Sequence, residues 1–109
     1  MNEPRIGNLD HRLNLKSAAL TADGAGGGTL AWSLVAELWG SLTPLGGAER
    51  LDAEGLKGRV THEVWIRHRD GVKPEMRFEL GTRVFDIRAV LEAGQRRRYL
   101  KCLVEERVS

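Results

Sequence analysis

The sequence predicts an all-β fold: a small antiparallel β-barrel of about six strands with one short helix or long loop. Apolar and polar residues alternate in several segments, which is typical of strands with one buried face. Turn residues recur about every 8–12 residues in the second half, a spacing typical of sandwiches and barrels. Strands do not alternate with helical patterns, so a parallel sheet is not indicated. The 109 residues fit a single domain over residues 1–109.

Six segments show the strand pattern. Residues 1–8 contain Pro4 and Gly7 without periodicity, and we expect them to form a flexible N-terminal arm. The predicted strands are residues 9–16, 32–43, 59–69, 75–80, 83–92 and 97–106. The alternation predicts a core that includes Leu13, Leu38, Val64, Ile66, Phe78, Ile87 and Leu100.

Two connections between these strands are rich in glycine. Residues 17–31 connect the first two predicted strands, and we interpret the four glycines among residues 24–28 as a flexible loop tip. The segment lacks the Gly-Lys-Ser/Thr ending of a phosphate-binding loop. The second connection, residues 43–58, contains Pro44, which we expect to end the preceding strand. Within it, Leu51, Gly55 and Leu56 are spaced about one helical turn apart. A short helix or an ordered loop is therefore expected there.

Composition excludes several classes of protein. A hydrophobic fraction of 41% and a charged fraction of 29% are ordinary for a globular domain. No run reaches the roughly 18 apolar residues that a membrane-spanning helix needs. Residues 1–10 have no apolar core of a secretion signal, so assembly in the cytoplasm is expected. A single cysteine rules out an intramolecular disulfide framework.

The polar residues form no catalytic or metal-binding pattern. His62 and His68 are six residues apart, roughly 20 Å along a strand, and His11 has no second ligand at a metal-site spacing. Cys102 lies in an apolar-polar strand pattern and is interpreted as a core residue. The sequence therefore predicts no enzyme activity, no metal site and no cofactor.

Positive charge is concentrated in the second half of the chain. Residues 59–101 contain 11 basic and 6 acidic side chains, against 5 and 7 in residues 1–58. With Trp65 and Tyr99 as stacking aromatics, this region fits a nucleic-acid groove, an acidic protein partner, or simply a charged hairpin end. The candidate basic surface consists of Arg67, Arg69, Arg96, Arg97 and Arg98.

An ordered set of motifs runs along nearly the whole chain. The motifs are Ile6-Gly7-x-Leu9-x-His11-Arg12, Leu45-Gly46-Gly47-Ala48-Glu49, Thr61-His62-x-Val64-x-Ile66-Arg67-x-Arg69-x-Gly71-Val72-x-Pro74-x-Met76-Arg77, Arg83-Val84-Phe85-Asp86-Ile87, Arg96-Arg97-Arg98-Tyr99-Leu100 and Glu105-Glu106. This set resembles the head–tail joining proteins of tailed phages, the head-closure or stopper subunits, and their counterparts in gene transfer agents.

The resemblance implies a structural connector in a phage or gene transfer agent particle, assembled in the bacterial cytoplasm. Its subunits would form a six- or twelve-fold ring with a portal-bound adaptor above and a tail terminator or tail tube below. Packaged DNA would lie in the channel, gated by a loop. The candidate channel-loop residues are Gly46, Gly47, Glu49, Arg50, Asp52, Glu54 and Lys57. The alternative from the residues alone is a free nucleic-acid-binding barrel of the OB type.

Overall fold

The computed structural model describes residues 9–46 and 60–107, which form a closed antiparallel β-barrel. Its strands follow the order β1-β2-β3-β6-β5-β4, and β4 pairs with β1 to close the ring. The elements are β1 His11–Ala22, β2 Gly28–Pro44, β3 His62–Arg67, β4 Arg77–Leu80, β5 Arg83–Ala93, a 3-10 turn Gln95–Arg97, and β6 Tyr99–Glu106. Closure leaves few exposed strand edges in the barrel itself. The described chain contains no helix long and apolar enough to cross a membrane.

The barrel interior is filled by one parity of each strand, as the alternation predicts. Phe78 and Phe85, paired across β4 and β5, are fully buried. Of the predicted core residues, all are buried except Leu38, which is half-buried and packs against the core. The buried cluster contains Leu13, Leu15, Val64, Ile66, Met76, Phe78, Phe85, Ile87, Leu100, Cys102 and Val104.

A glycine allows β1, β2 and β3 to approach closely. Gly40 is buried and pairs with His11 on one side and Ile66 on the other. A Cβ atom at this position would lie 2.9 Å from Leu13 Cδ1 and 3.0 Å from the Trp65 carbonyl oxygen. The interruption that Gly40 makes in the apolar pattern of β2 is therefore required by packing.

The predicted end of the first strand at residue 16 and the predicted start of the second at residue 32 are wrong. β1 continues to Ala22 and β2 begins at Gly28, so the two strands pair as a long hairpin beyond the barrel. A tight turn joins them, in which the Asp23 carboxylate accepts hydrogen bonds from Ala25 N (2.8 Å) and Gly27 N (3.2 Å). We call residues 17–35 the hairpin extension. Cross-strand pairing overrides the weak strand preference of its alanines and glycines.

A β-bulge changes which side chains of β2 face inward. Leu15 pairs with Ala36 but Lys16 pairs with Leu34, so Val35 is the extra residue. Trp32, Leu34 and Leu38 have the same parity in the sequence, so an unbroken strand would place them on one face. Because the bulge reverses the parity, Trp32 and Leu34 share the outer face with Lys16 instead.

A second, smaller cluster lies on the outside of the barrel. Leu9 packs against Trp65 and Tyr99, with Ala93 at its edge. The rings of Trp65 and Tyr99 meet edge to face, with centroids 6.0 Å apart. The N-terminal end of the described chain therefore covers an aromatic pair that alternation alone would place in solvent.

Candidate functional site

The described residues contain no cluster of metal-binding side chains. No group of three or more His, Cys, Asp or Glu side chains in residues 9–46 and 60–107 is placed to hold a metal ion. The histidines are separate from one another: His11 lies beside Asp10, His62 beside Thr61 and Glu106, and His68 beside Glu92. Each ring thus takes part in a local polar contact rather than a shared site.

Cys102 is a core residue, as predicted. Its side chain is fully buried in the barrel, and burial raises the pKa of the thiol to about 12. The thiolate, which is the reactive form, is therefore negligible near neutral pH. This environment favours the packing role of the cysteine over a nucleophilic one.

Most of the candidate channel loop lies outside the described residues. Gly47, Glu49, Arg50, Asp52, Glu54 and Lys57 belong to that part of the chain, and the expected short helix does as well. Gly46 is described and exposed. The loop begins and ends close together, because Leu45 N donates a 3.0 Å hydrogen bond to the carbonyl oxygen of Thr61.

The structure brings the five arginines of the candidate basic surface to one end of the barrel. β3 ends at Arg67, which pairs with Tyr99 at the start of β6. His68 N donates a 2.8 Å hydrogen bond to the carbonyl oxygen of Arg98, which ties Arg69 to the turn before β6. This end lies opposite the one from which the candidate channel loop leaves, because β2 runs toward the loop and β3 runs back.

The arginines of this surface differ from the others in the barrel. Arg67, Arg96, Arg97 and Arg98 are exposed and form no ion pair with any side chain that the structure describes. In contrast, Arg83 donates two hydrogen bonds to Glu106, of 2.7 and 3.0 Å. Positive charge at the basic surface therefore remains available to an external anion.

Backbone strain coincides with this surface. Arg96 and Arg97 have φ of 58° and 54°, in the left-handed region that non-glycine residues rarely adopt. Such a conformation costs roughly 1–2 kcal/mol per residue. Strain of this kind concentrates where a protein presents side chains for a function. The turn therefore holds two unpaired guanidinium groups in an exposed position.

The aromatic residues proposed to stack on bases are not available. Trp65 and Tyr99 are only 5% and 7% exposed, since Leu9 covers them. Trp39, which sequence reasoning did not select, is 54% exposed and carries the Arg12 guanidinium 5.2 Å from its ring centre. A shallow cleft separates Trp39 from residues 67–69. The exposed aromatic next to the basic surface is thus Trp39.

The most unusual surface of the described chain is the hairpin extension. Leu20, Leu30 and Leu34 are 71%, 58% and 57% exposed, and Val35 is 43% exposed. The apolar face continues into a cleft against residues 71–76, which include Pro74 and Met76. Contiguous exposed apolar surface of this kind is often functional, which makes the extension a candidate interaction surface.

Sequence reasoning missed the extension although a signal was present. Leu20-Thr21 and Thr29-Leu30 are mirror images about Ala25, which is the symmetry of a hairpin centred on that residue. The structure pairs Leu20 with Leu30 and Thr21 with Thr29. The run of glycines obscured the pattern because glycine is depleted from strands.

A charged network fixes the base of the extension to the barrel. Glu79 accepts hydrogen bonds from Lys16 (2.9 Å) and Arg77 (2.6 Å), and the Arg77 guanidinium stacks 4.0 Å from the ring centre of Trp32. These contacts, led by the hydrogen bond from Lys16, hold the pKa of the Glu79 carboxyl below its ordinary value. The extension is therefore anchored by charge at its base and is apolar beyond it.

Comparison with known proteins identifies the family. The model of the phage head completion protein family matches residues 4–107. The fold is similar to that of a chain in the virion of a native gene transfer agent particle, with a TM-score of 0.68 and 30% identity, covering 98% of this chain and 100% of that one. It is also similar to the solution structure of protein SF1141 from Shigella flexneri 2a, with a TM-score of 0.75 and 24% identity over 94% of this chain and 96% of that one.

The second of these likenesses shows the fold alone, whereas the family match covers nearly the whole sequence. The curated proteins gave no match. The resemblance that the sequence motifs suggested is confirmed, and so is the predicted small antiparallel barrel. The chain belongs to the phage head completion protein family.

Proposed function

We propose that this chain is the head-closure subunit of a tailed phage or gene transfer agent, and that copies of it form a ring joining the head to the tail. The observation that carries the proposal is the match, over 98% of the chain, to a protein of a gene transfer agent virion. Family membership makes the chain a phage head–tail structural protein and a virion component. A structural family also favours a role without catalysis.

The proposed ring has six or twelve copies. A portal-bound adaptor lies above it, a tail terminator or tail tube protein lies below it, and packaged DNA passes through its channel. The closed barrel supports such a role because it is a rigid body that presents loops at both ends. The arrangement of its surfaces also fits a connector, since the basic surface lies at one end of the barrel and the loop from Gly46 begins at the other.

The loop over residues 46–57 is proposed to gate the channel. Its sequence mixes both charges, so that it would block DNA without binding it tightly: Glu49, Asp52 and Glu54 would repel the phosphate backbone, whereas Arg50 and Lys57 would attract it. The loop closes onto one end of the barrel through Leu45 and Thr61, so it can be replaced without altering the strands.

A direct test of gating replaces residues 46–57 by a short Gly-Ser linker. The barrel should remain folded, and particles should incorporate the chain but lose DNA before the tail joins. A chain with the same loop residues in scrambled order keeps the length and charge, and serves as the matched control that should retain DNA. Full DNA retention and normal infection or gene transfer with the Gly-Ser linker would refute gating and leave the connector assignment intact.

The connector role itself is tested by omission. Cells that assemble particles without this chain should accumulate heads lacking tails, and supplying the chain should restore complete particles. Purified particles should contain the chain in a constant ratio to the portal protein. Complete, tailed particles that form in its absence would contradict the proposal.

A free nucleic-acid-binding barrel is the second candidate function. It is favoured by one observation, the exposed Trp39 that lines a cleft together with the unpaired Arg67. An isolated nucleic-acid binder should bind DNA with an affinity that falls steeply as salt rises. A connector should bind DNA weakly as a single chain. Measuring DNA affinity of the isolated chain at two salt concentrations separates the two functions.

A further inference from the structure

Both edges of the hairpin extension are open among the described strands. β1 pairs with β4 only over residues 14–16, and β2 pairs with β3 only from Gly40 onward. The outer edges of residues 17–22 and 28–39 thus have no strand partner in the described chain. Residues 17–22 carry no charged side chain and residues 28–39 carry one, Glu37, and neither segment contains proline or lysine. Apart from the bulge at Val35, these edges lack the features that prevent pairing with another chain.

The two faces of the extension are chemically different. One face carries the pairs Ala18–Trp32 and Leu20–Leu30, followed by Leu34. The other carries only small side chains, in the pairs Ser17–Ser33, Ala19–Ala31 and Thr21–Thr29. A lone two-stranded hairpin is marginally stable in water, and exposing leucines on it adds a further cost. The extension therefore has the composition of a segment that is covered in its functional state.

We propose that the extension joins neighbouring copies of this chain, with the β1 edge of one copy pairing antiparallel to the β2 edge of the next. The inference rests on the proposed ring. The two free edges lie on opposite sides of one ribbon and have different sequences. A contact from one edge to the other repeats in a single direction and forms a ring where the rotation between copies closes, whereas pairing of like edges ends at a dimer and leaves one edge of each copy open.

Charge and area favour a second copy as the occupant. The surface from Ser17 to Val35 carries a single charged side chain, Asp23, at its tip. An equally neutral extension covers it without burying an unpaired charge. Four exposed aliphatic side chains provide a few hundred Å², below the ~800 Å² per partner of a standard stable complex. One such contact is too small for a stable dimer. In a ring, however, every copy makes two of these contacts, and the partner protein on which the ring assembles holds the copies together.

Cysteine pairing tests this contact in assembled particles. Two forms of the full chain are produced together, one carrying Ala19→Cys and the other carrying Thr29→Cys, Ala31→Cys or Ser33→Cys. These positions lie on the small face, so a cysteine of the β1 edge lies opposite one of the β2 edge between copies. The native thiol does not interfere because Cys102 is buried. The control is Glu92→Cys, at an exposed position of β5.

The expected result is a disulfide-linked dimer between the Ala19→Cys chain and at least one of the three β2 variants, at least tenfold above the level with Glu92→Cys. Three results would overturn the proposal: dimers of the Ala19→Cys chain with itself, disulfides to another particle protein, or no dimer from any combination although the chain is incorporated. Absence of the chain from the particles would instead refute the proposed connector function, so the two failures are distinguishable.

Discussion

Replacing Gly40 by alanine should destabilise the barrel through a clash that the structure localises. The new Cβ would lie 2.9 Å from Leu13 Cδ1, 3.0 Å from the Trp65 carbonyl oxygen and 3.1 Å from Ile66 Cγ2. Leu13 is fully buried, and the Trp65 carbonyl belongs to β3, so neither can move without disturbing the core. Overpacking of this kind costs roughly 1–3 kcal/mol.

A smaller effect acts in the opposite direction. Alanine restricts the unfolded chain more than glycine does, which stabilises the folded state by about 0.4–1 kcal/mol. Taking mid-range values of about 2 and about 0.7 kcal/mol, the net loss in the free energy of unfolding for Gly40→Ala should be about 1.3 kcal/mol. For a domain of this size that corresponds to a fall in Tm of roughly 5–10 °C.

Urea unfolding of the purified chain, followed by tryptophan fluorescence, measures this loss. The control is Gly27→Ala, where the new Cβ meets only the exposed Asp23 side chain, at 3.1 Å from Oδ2. Its unfolding midpoint should change little. A Gly40→Ala variant as stable as the parent chain would refute the close approach of β1, β2 and β3, and with it the barrel register.

Three further predictions concern the core and the base of the extension. Ile66→Ala should cost roughly 2–5 kcal/mol in the free energy of unfolding, since the side chain is 1% exposed, and an unchanged urea midpoint would contradict its inward orientation. Cys102 should resist thiol reagents at pH 8 until the chain is unfolded, since burial raises its pKa to about 12, and rapid labelling of the folded chain would be inconsistent with this environment. Glu79 stabilises the fold while ionised, because its pKa is lowered when folded. That contribution should be lost as pH falls below about 4.3, the ordinary pKa of a glutamate, and Glu79→Gln should have a flatter stability profile there. Identical profiles would argue against the network with Lys16 and Arg77.

Local sequence pattern predicted the barrel because each of its strands buries one face. The parity of Val64 and Ile66 or of Phe78 and Leu80 is imposed by that burial, so alternation reports it directly. Alternation did not predict which face the residues before Val35 occupy, because a bulge at Val35 shifts the register there. The sequence pattern does not show where such an extra residue is inserted. Alternation also failed at Trp65, whose cover comes from Leu9, far away in the chain.

The candidate sites were predictable to different degrees. The basic surface is one turn and the end of one strand, and the pairing of Arg67 with Tyr99 brings its parts together. Clustering of arginines in the sequence was enough to indicate it. The hairpin extension was not found, because a strand exposed on both faces has no burial to impose a polar alternation. Its leucines became informative only when the register placed Leu20 opposite Leu30.

The ring between head and tail is tested most directly by imaging. Purified particles carrying a compact gold-labelled tag on the exposed turn at Gly81 and Thr82 can be averaged by electron cryomicroscopy about the head–tail axis. We expect six or twelve copies of the barrel in one closed ring between portal and tail, with hairpin extensions bridging adjacent copies. Label that lies elsewhere on the particle, or copies that do not contact one another in a ring, would contradict the connector assignment.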